Sequence, residues 1–294
     1  MSSFRQNAVL RLRERLAAPG LALMPCCFDA LSAKLIAQAG FELTFMSGFG
    51  VSAARLGAPD TGLISYAEML DQGRNICEAC AIPVIGDGDT GYGNALNAKR
   101  TVKGYAQAGF AGVMIEDQVA PKRCGHTEGK QVLDRDEALQ RLKAAVDARN
   151  EGADVVIVAR TDARATHGLE EALTRARAFA EIGADVVFVE ALHSREEMRA
   201  ACATSDKPML ANMLEGGKTP ILTPQELEAV GYKLAAYPLT LLSTAIHAMR
   251  EALSSLARGD TPERMLPFDE LRRVVGFESY DAEAGRYVTP GRSP

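Results

Sequence analysis

The chain has 294 residues, 47% of them hydrophobic and 24% charged, and a formal net charge of −5. This composition is typical of a soluble globular protein with a large core. The charges form no block of one sign, so the sequence gives no reason to expect nucleic acid or an anionic membrane as a partner. Because the first residues lack an apolar leader and no apolar run approaches about 18 residues, we predict a cytoplasmic protein without membrane spans.

The first predicted element is a charged amphipathic helix from Arg5 to Ala17, ended by Pro19 and Gly20. After it one unit recurs, made of a short apolar run, a polar loop, a helix and a return that contains glycine. The apolar runs are residues 21–26, 43–47, 82–86, 112–116, 155–160, 186–190, 208–212 and 233–237.

Helix boundaries between these runs are well marked. Capping patterns that start helices begin at Ser65, Asp134, Ser194 and Thr223. Glycines suited to ending helices stand before the next run at Gly40, Gly109, Gly183 and Gly231. Apolar strands that alternate with helices favour a parallel sheet covered on both faces. Eight such units in about 220 residues favour a (β/α)8 barrel.

An open doubly wound sheet is the alternative fold. It would carry a glycine fingerprint for a nucleotide after the first strand, and the segment that follows Cys26 has no glycine. The glycines from Gly86 to Gly91 are separated by acids, which would repel a pyrophosphate. We therefore predict a single barrel domain, with an N-terminal helix in residues 1–20, the barrel in 21–256 and a helical tail in 257–294.

Polar side chains follow almost every predicted strand. In a barrel, catalytic groups gather at the carboxyl ends of the strands. The residues at these ends are Ser47, Gly48, Asp87, Asp89, Glu116, Asp117, Arg160, Asp162, Glu190, Asn212 and Pro238. Strand ends without a function would more often be neutral turn residues, so this pattern predicts one active site.

Four acids in this set predict a metal site. Asp87 and Asp89 stand at alternate positions of an extended segment, so both carboxylates point to the same side. With Asp60 and Glu116 they offer only oxygen ligands, which suit Mg²⁺ or Mn²⁺. The competing interpretation is that they cap helices or solvate loops, above all for Asp60 taken alone.

The loop after the fourth strand carries Cys124 among Lys122, Arg123 and His126. Neighbouring positive charge favours the thiolate, so Cys124 is predicted to be a proton donor or a nucleophile. A loop cysteine without a role is the alternative. The glycine-rich segment 119–132 that contains it is predicted to be a lid over the substrate.

Other polar residues leave their roles open. Arg160 could bind a substrate carboxylate through two hydrogen bonds, or it could form a structural ion pair with Asp162. The Cys77 and Cys80 pair could be redox-active or half of a metal site, but without a second pair we favour buried small hydrophobes.

Four motifs together identify a family. They are D-G-D-T-G-Y-G-N from Asp87, I-E-D-Q-V-A-P-K-R-C-G-H from Ile115, R-T-D-A from Arg160 and N-M-L-E-G-G from Asn212. Over residues 21–256 the chain resembles the isocitrate lyase and phosphoenolpyruvate mutase superfamily. The resemblance implies a (β/α)8 barrel in a homotetramer, with the last helix swapped between neighbouring subunits.

The resemblance also implies roles for the site residues. Asp87 would bind Mg²⁺ most directly, and Asp60, Asp89 and Glu116 would assist, often through water. Cys124 would protonate the leaving carbanion. The implied catalytic group is Glu116, Lys122, Arg123, Cys124 and His126. The implied substrate-binding group is Ser47, Gly48, Phe49, Arg160, Glu190, Asn212 and Pro238.

Family motifs narrow the expected reaction. Phosphonate-forming mutases lack the cysteine motif, so the resemblance favours carbon–carbon cleavage. Phe45 and the residues after Asn212 differ from methylisocitrate lyases and are closer to the branch of 2,3-dimethylmalate lyases, and Pro238 favours a lyase over an oxaloacetate hydrolase. The hypothesis is a Mg²⁺-dependent lyase that cleaves a 2-alkylmalate to pyruvate and a carboxylate. The alternatives are a 2-methylisocitrate lyase, an oxaloacetate hydrolase or decarboxylase, a thiol redox protein and a non-catalytic metabolite-binding barrel.

Overall fold

Eight parallel strands close into a barrel in the computed structural model, which describes residues 2–125 and 129–287. The strands are β1 Ala22–Cys27, β2 Thr44–Met46, β3 Val84–Asp87, β4 Gly112–Glu116, β5 Val156–Thr161, β6 Val186–Val189, β7 Met209–Asn212 and β8 Leu234–Tyr237. Each strand pairs with its neighbours in sequence, and β8 closes the ring by pairing with β1. The predicted (β/α)8 barrel is confirmed, and an open sheet is excluded.

Helices alternate with the strands and flank them at both ends of the chain. They are α1 Ser2–Ala17, α2 Ala30–Gln38, α3 Gly48–Val51, α4 Tyr66–Ala79, α5 Ala95–Ala108, α6 Arg135–Asn150, α7 Ala163–Thr166, α8 Leu169–Ile182, α9 Arg195–Cys202, α10 Pro224–Val230, α11 Thr240–Ala257, α12 Phe268–Val275 and α13 Phe277–Ala284. A π-helical turn, Ser52–Leu56, continues α3, and a 3₁₀ turn, Gly285–Tyr287, follows α13.

Local sequence signals account for most of the helix boundaries. Ser65 and Thr223 form complete capping boxes, and Ser194 accepts a hydrogen bond from the N–H of Glu197. The predicted helix start at Asp134 is confirmed, because α6 begins at Arg135, but the expected capping box is absent, because the Asp134 side chain makes no capping hydrogen bond. Its negative charge still lies near the positive end of α6. The predicted terminal glycines Gly109, Gly183 and Gly231 end their helices in the left-handed conformation.

The apolar core has two layers. One fills the barrel, where Met24, Ile85 and Val158 pack from different strands, and the other lies between the strands and the surrounding helices. Val9 and Leu12 of α1 belong to the inner layer and are buried. The N-terminal helix therefore closes one end of the barrel, the one at the amino ends of the strands.

The chain divides into two compact units, the first ending at Leu242 and the second beginning at Ser243. The first holds all eight strands, and the second holds α12 and α13. The assignment of the whole chain to one domain, with a tail from residue 257, stays a prediction. Within the described ranges, no helix combines the length and apolar character that a membrane crossing requires.

Candidate active site

A cavity of about 630 Å³, counting its open mouth, lies at the carboxyl ends of the strands. Most of the predicted site residues line it, namely Ser47, Phe49, Asp60, Asp87, Glu116, Lys122, Arg123, Cys124, Arg160, Glu190, Asn212 and Pro238. Gly48 and Asp89 contact Asp87 directly, while His126 falls outside the described residues. The fold therefore brings together side chains from seven predicted strand ends and from two loops.

Asp87, the last residue of β3, is held by backbone donors. The N–H of Gly48 donates to its Oδ2 at 3.1 Å, and the N–H of Asp89 donates to its Oδ1 at 3.0 Å. A Cβ atom on Gly48 would stand 2.5 Å from Oδ2, so only glycine permits this close approach. The two bonds fix the orientation of the carboxylate at the barrel mouth.

Lys122 brings positive charge among the four predicted acids, Asp60, Asp87, Asp89 and Glu116, which are called the acid cluster below. Its Nζ lies 2.5 Å from Oδ1 of Asp60 and 2.8 Å from Oδ1 of Asp89, and all three side chains are buried. Burial alone lowers the pKa of Lys122, but the surrounding carboxylates, Asp89 first, outweigh it and hold that pKa well above its ordinary value. Lys122 is therefore an ammonium ion that partly neutralises the acids.

The acid cluster still carries surplus negative charge. Burial, reinforced by Asp89, raises the pKa of Asp87 to about 6, and burial raises the pKa of Glu116 well above its usual range. Glu116 Oε1 is buried without a hydrogen-bond partner among the described residues. A cation would stabilise the buried carboxylates and give Glu116 Oε1 a partner, so the residues present fit a hard metal ion that prefers oxygen ligands.

The acids do not form a ready-made cage for an ion. Across residues 2–125 and 129–287, no three Asp, Glu, His or Cys side chains converge closely enough to hold a metal between them.

Arg160 extends from β5 into the cavity and is held from behind by Asp162. Asp162 accepts hydrogen bonds from its Nε at 2.8 Å and its Nη2 at 3.0 Å, and Glu190 Oε2 lies 3.1 Å from Nη2. The guanidinium also lies over the ring of Phe188, 5.3 Å from its centroid. Asn212 donates to Glu190 at 3.1 Å. The structural ion pair therefore exists, and it orients a cation that still lines the cavity.

Asp117 lies behind Arg160 and Asp162 and holds the end of β5 in place. Its carboxylate accepts hydrogen bonds from Thr161 Oγ1 at 2.7 Å, from the N–H of Asp162 at 2.9 Å and from Arg175 Nη1 at 3.0 Å. Asp117 and Arg175 are both buried. The sequence placed Asp117 at a strand end, but its role is to fix the end of β5.

The loop after β4 packs against Arg160, Asp162 and Glu190, which are called the Arg160 cluster below. Cys124 lines the cavity, and no disulfide involves it. At Gly125 a Cβ atom would stand 2.4 Å from Arg160 Nη2 and 2.5 Å from Glu190 Oε2. Gln118 anchors the start of the loop through bonds to both the N–H and the carbonyl of Arg123. The thiol and the guanidinium therefore face the same cavity, while movement of the loop stays a prediction.

Two features of the site had no prediction. Lys130 is buried and forms a 2.7 Å ion pair with Asp162, although the sequence shows only a lysine at the end of a loop. Apolar side chains also line the cavity, and apart from Phe45, which the comparison of family motifs singled out, they read as ordinary core. These apolar lining residues are Phe45, Met114, Leu210, Leu214, Ala236 and Leu239.

Comparisons with known proteins agree with the architecture. The family model described as phosphoenolpyruvate phosphomutase matches residues 12–257. The chain is 42% identical to the 2,3-dimethylmalate lyase of Eubacterium barkeri over 287 residues, covering 96% of this chain and 99% of that protein. It is 40% identical to the 2-methylisocitrate lyase of Bacillus subtilis over 284 residues, covering 95% and 93%.

Solved structures show the same likeness. Oxaloacetate acetylhydrolase in complex with 3,3-difluorooxalacetate superposes with a TM-score of 0.92 at 35% identity, covering 96% of this chain and 98% of that one. Phosphonopyruvate hydrolase in complex with oxalate and Mg²⁺ has a TM-score of 0.86 at 28% identity, covering 96% and 99%.

We predict that Asp117→Asn destabilises the protein by about 1–3 kcal/mol, because it removes the carboxylate that pairs with Arg175 Nη1 in the interior, while Glu171 still pairs with Arg175 Nε. Urea unfolding followed by circular dichroism measures this loss. Asp147→Asn is the matched control, since Asp147 pairs with Lys143 on the exposed surface of α6 and should cost less than about 0.5 kcal/mol. Equal midpoints for the two variants would contradict the assigned role of Asp117.

Proposed function

Because the chain belongs to the phosphoenolpyruvate mutase and isocitrate lyase superfamily and is a lyase of that superfamily, we propose that it cleaves the C2–C3 bond of a 2-alkylmalate. The products are pyruvate and a short carboxylate, and the reaction depends on Mg²⁺. The observation that carries the proposal is that Asp87, Arg160 and Cys124 line one cavity. This cleavage needs a metal ligand, a cation that binds a substrate carboxylate and a proton donor, and Asp87, Arg160 and Cys124 have these three properties.

The cavity lining supports an alkylmalate as the substrate. It contains Arg160 and the acid cluster, which suit a 2-hydroxy acid and a metal ion. It also contains apolar side chains, among them Leu214, Pro238 and Leu239. An alkyl group gains from burial against these apolar side chains, whereas the additional carboxylate of methylisocitrate would lose its water beside them.

The ligands proposed for the metal are Asp87 directly and Asp60, Asp89 and Glu116 through water. Bound Mg²⁺ supplies positive charge that polarises the hydroxyl and carboxylate oxygens of the substrate. Lys122 holds Asp60 and Asp89 in place at the edge of this site. The acids thus orient the hydroxyl-bearing carbon toward the Arg160 side of the cavity.

The remaining residues handle the carboxylates and the proton. Arg160 binds a carboxylate of the substrate, with its guanidinium already oriented by Asp162. Ser47 and Gly48 contact the portion that becomes pyruvate. The C2 hydroxyl gives its proton to a carboxylate of the acid cluster, and its oxygen becomes the keto oxygen of pyruvate as the C2–C3 bond breaks. The carbon that leaves keeps the electron pair of that bond and takes a proton from the thiol of Cys124. The loop residues around Gly125 exclude water that would otherwise compete for the carbanion.

A substrate panel tests the proposal. The purified protein is assayed with Mg²⁺ on 2-methylmalate, 2,3-dimethylmalate, 2-methylisocitrate, isocitrate and oxaloacetate, with detection of pyruvate, glyoxylate and oxalate. We expect pyruvate from the alkylmalates at the highest kcat/KM and loss of activity with EDTA that Mg²⁺ restores. Oxalate from oxaloacetate, or succinate from 2-methylisocitrate at a higher kcat/KM, would replace the proposal with one of the two sister reactions.

Cys124→Ala is expected to lower kcat by about 10²- to 10⁴-fold, which is the range for a lost general acid. Oxalate affinity in the presence of Mg²⁺ should stay within about threefold of wild type, because the metal and Arg160 sites are untouched. Calorimetry and steady-state kinetics measure the two quantities. Cys77→Ala is the matched control, and a loss of activity there with Cys124→Ala unaffected would favour the thiol redox alternative instead.

We also propose that the enzyme is a cytoplasmic homotetramer with the last barrel helix exchanged between subunits. Support comes from the family resemblance and from exposed leucines of α2, Leu31 and Leu35, which are 45% and 43% exposed in the isolated chain. Light scattering of the purified protein should give four times the 31.5 kDa chain mass. A monomeric mass at micromolar concentration would contradict this assembly.

A further inference from the structure

Lys130 joins two parts of the site that are distant in sequence. Its Nζ donates a hydrogen bond to the carbonyl oxygen of Gly125 and forms a 2.7 Å ion pair with Oδ1 of Asp162. Gly125 adjoins Cys124, and Asp162 orients Arg160. One ammonium group therefore connects the thiol-bearing segment to the carboxylate behind the guanidinium.

These contacts are buried, which makes them restrictive. The side chain of Lys130 is 2% exposed and that of Asp162 is fully buried. Burial by itself raises the pKa of Asp162, but the charges of Arg160 and Lys130 outweigh it and hold that pKa well below its ordinary value. Asp162 is therefore a carboxylate shared by two cations, and hydrogen bonds to a charged partner are stronger than neutral ones.

The two cations depend on Asp162 to different degrees. Arg160 binds it through two nitrogens and also pairs with Glu190, so it keeps its orientation without Lys130. Among the described residues, Lys130 is the group that links the Gly125 carbonyl to Asp162. Gln118 still holds Arg123 on the other side of Cys124, so removing the ammonium group should loosen the Cys124–Gly125 end of the segment while leaving the Arg160 guanidinium in place.

We propose that Lys130 is a positioning residue that anchors the segment carrying Cys124 over the Arg160 cluster. The effect on turnover rests on the proposed function, in which Cys124 gives a proton to the substrate carbon. Lys130 touches neither substrate nor metal in this role. It sets the distance between the thiol and the Arg160 guanidinium by holding Gly125 against Asp162.

The test compares Lys130→Met and Lys130→Arg with the control Lys143→Met, which removes an exposed lysine of α6. For Lys130→Met we expect kcat to fall about 100-fold, the loss that a displacement of about 1 Å can cause, with KM within about threefold. Lys130→Arg keeps a charged donor and should restore kcat to within about tenfold of wild type. Lys143→Met should match wild type.

A second measurement needs no turnover. An arginine-specific protease is expected to cleave after Arg123 at least about tenfold faster in Lys130→Met than in wild type, because cleavage of a folded protein follows local opening. Calorimetry with oxalate and Mg²⁺ should give affinities within about threefold. If Lys130→Met does not fold, Lys130→Gln replaces it in all three measurements.

The outcomes separate this inference from the proposed function. Unchanged cleavage after Arg123 overturns the positioning role, as does a kcat within about threefold of wild type. Equal losses in KM and kcat would also overturn it, since they would place Lys130 in carboxylate binding. If wild type turns over no malate derivative, the proposed function fails, and the protease comparison still decides the role of Lys130.

Discussion

The pairing of Arg160 with Asp162 is the interaction on which the site depends. A buried guanidinium is tolerated only when carboxylates share its charge, and Asp162 meets it with two hydrogen bonds. Asp162 is in turn fixed through its backbone by Asp117, which is held by Arg175. This chain of buried charges runs from α8 to the barrel mouth, so the position of the Arg160 guanidinium is set by residues that do not line the cavity.

The cavity lining contains two kinds of side chain with different physical demands. Asp60, Asp87 and Glu116 are buried at a desolvation cost that Lys122 offsets only in part. The leucines and Pro238 in the lining carry no charge and need no partner of opposite sign.

The sequence predicted the fold and the acids for the same reason. Parallel strands direct their carboxyl ends to one side, so a polar residue after each apolar run must face the same mouth, as Asp87 and Arg160 do. The role of Lys130 in the site could not be predicted in this way, because its position depends on how a loop returns across the barrel. The apolar lining of the cavity could not be predicted either, because residues such as Leu210 and Phe45 have the alternation of ordinary barrel core. Asp134 shows the converse, where a correct local motif formed no bond.

The helix that closes the amino ends of the strands, α1, limits the side from which small molecules can reach the cavity. Val9 and Leu12 are packed inside that end, while the cavity lies at the carboxyl ends of the strands. A molecule bound in the cavity therefore enters and leaves on the side where Cys124 lies. Under the proposed cleavage, the two products would leave on that side one after the other.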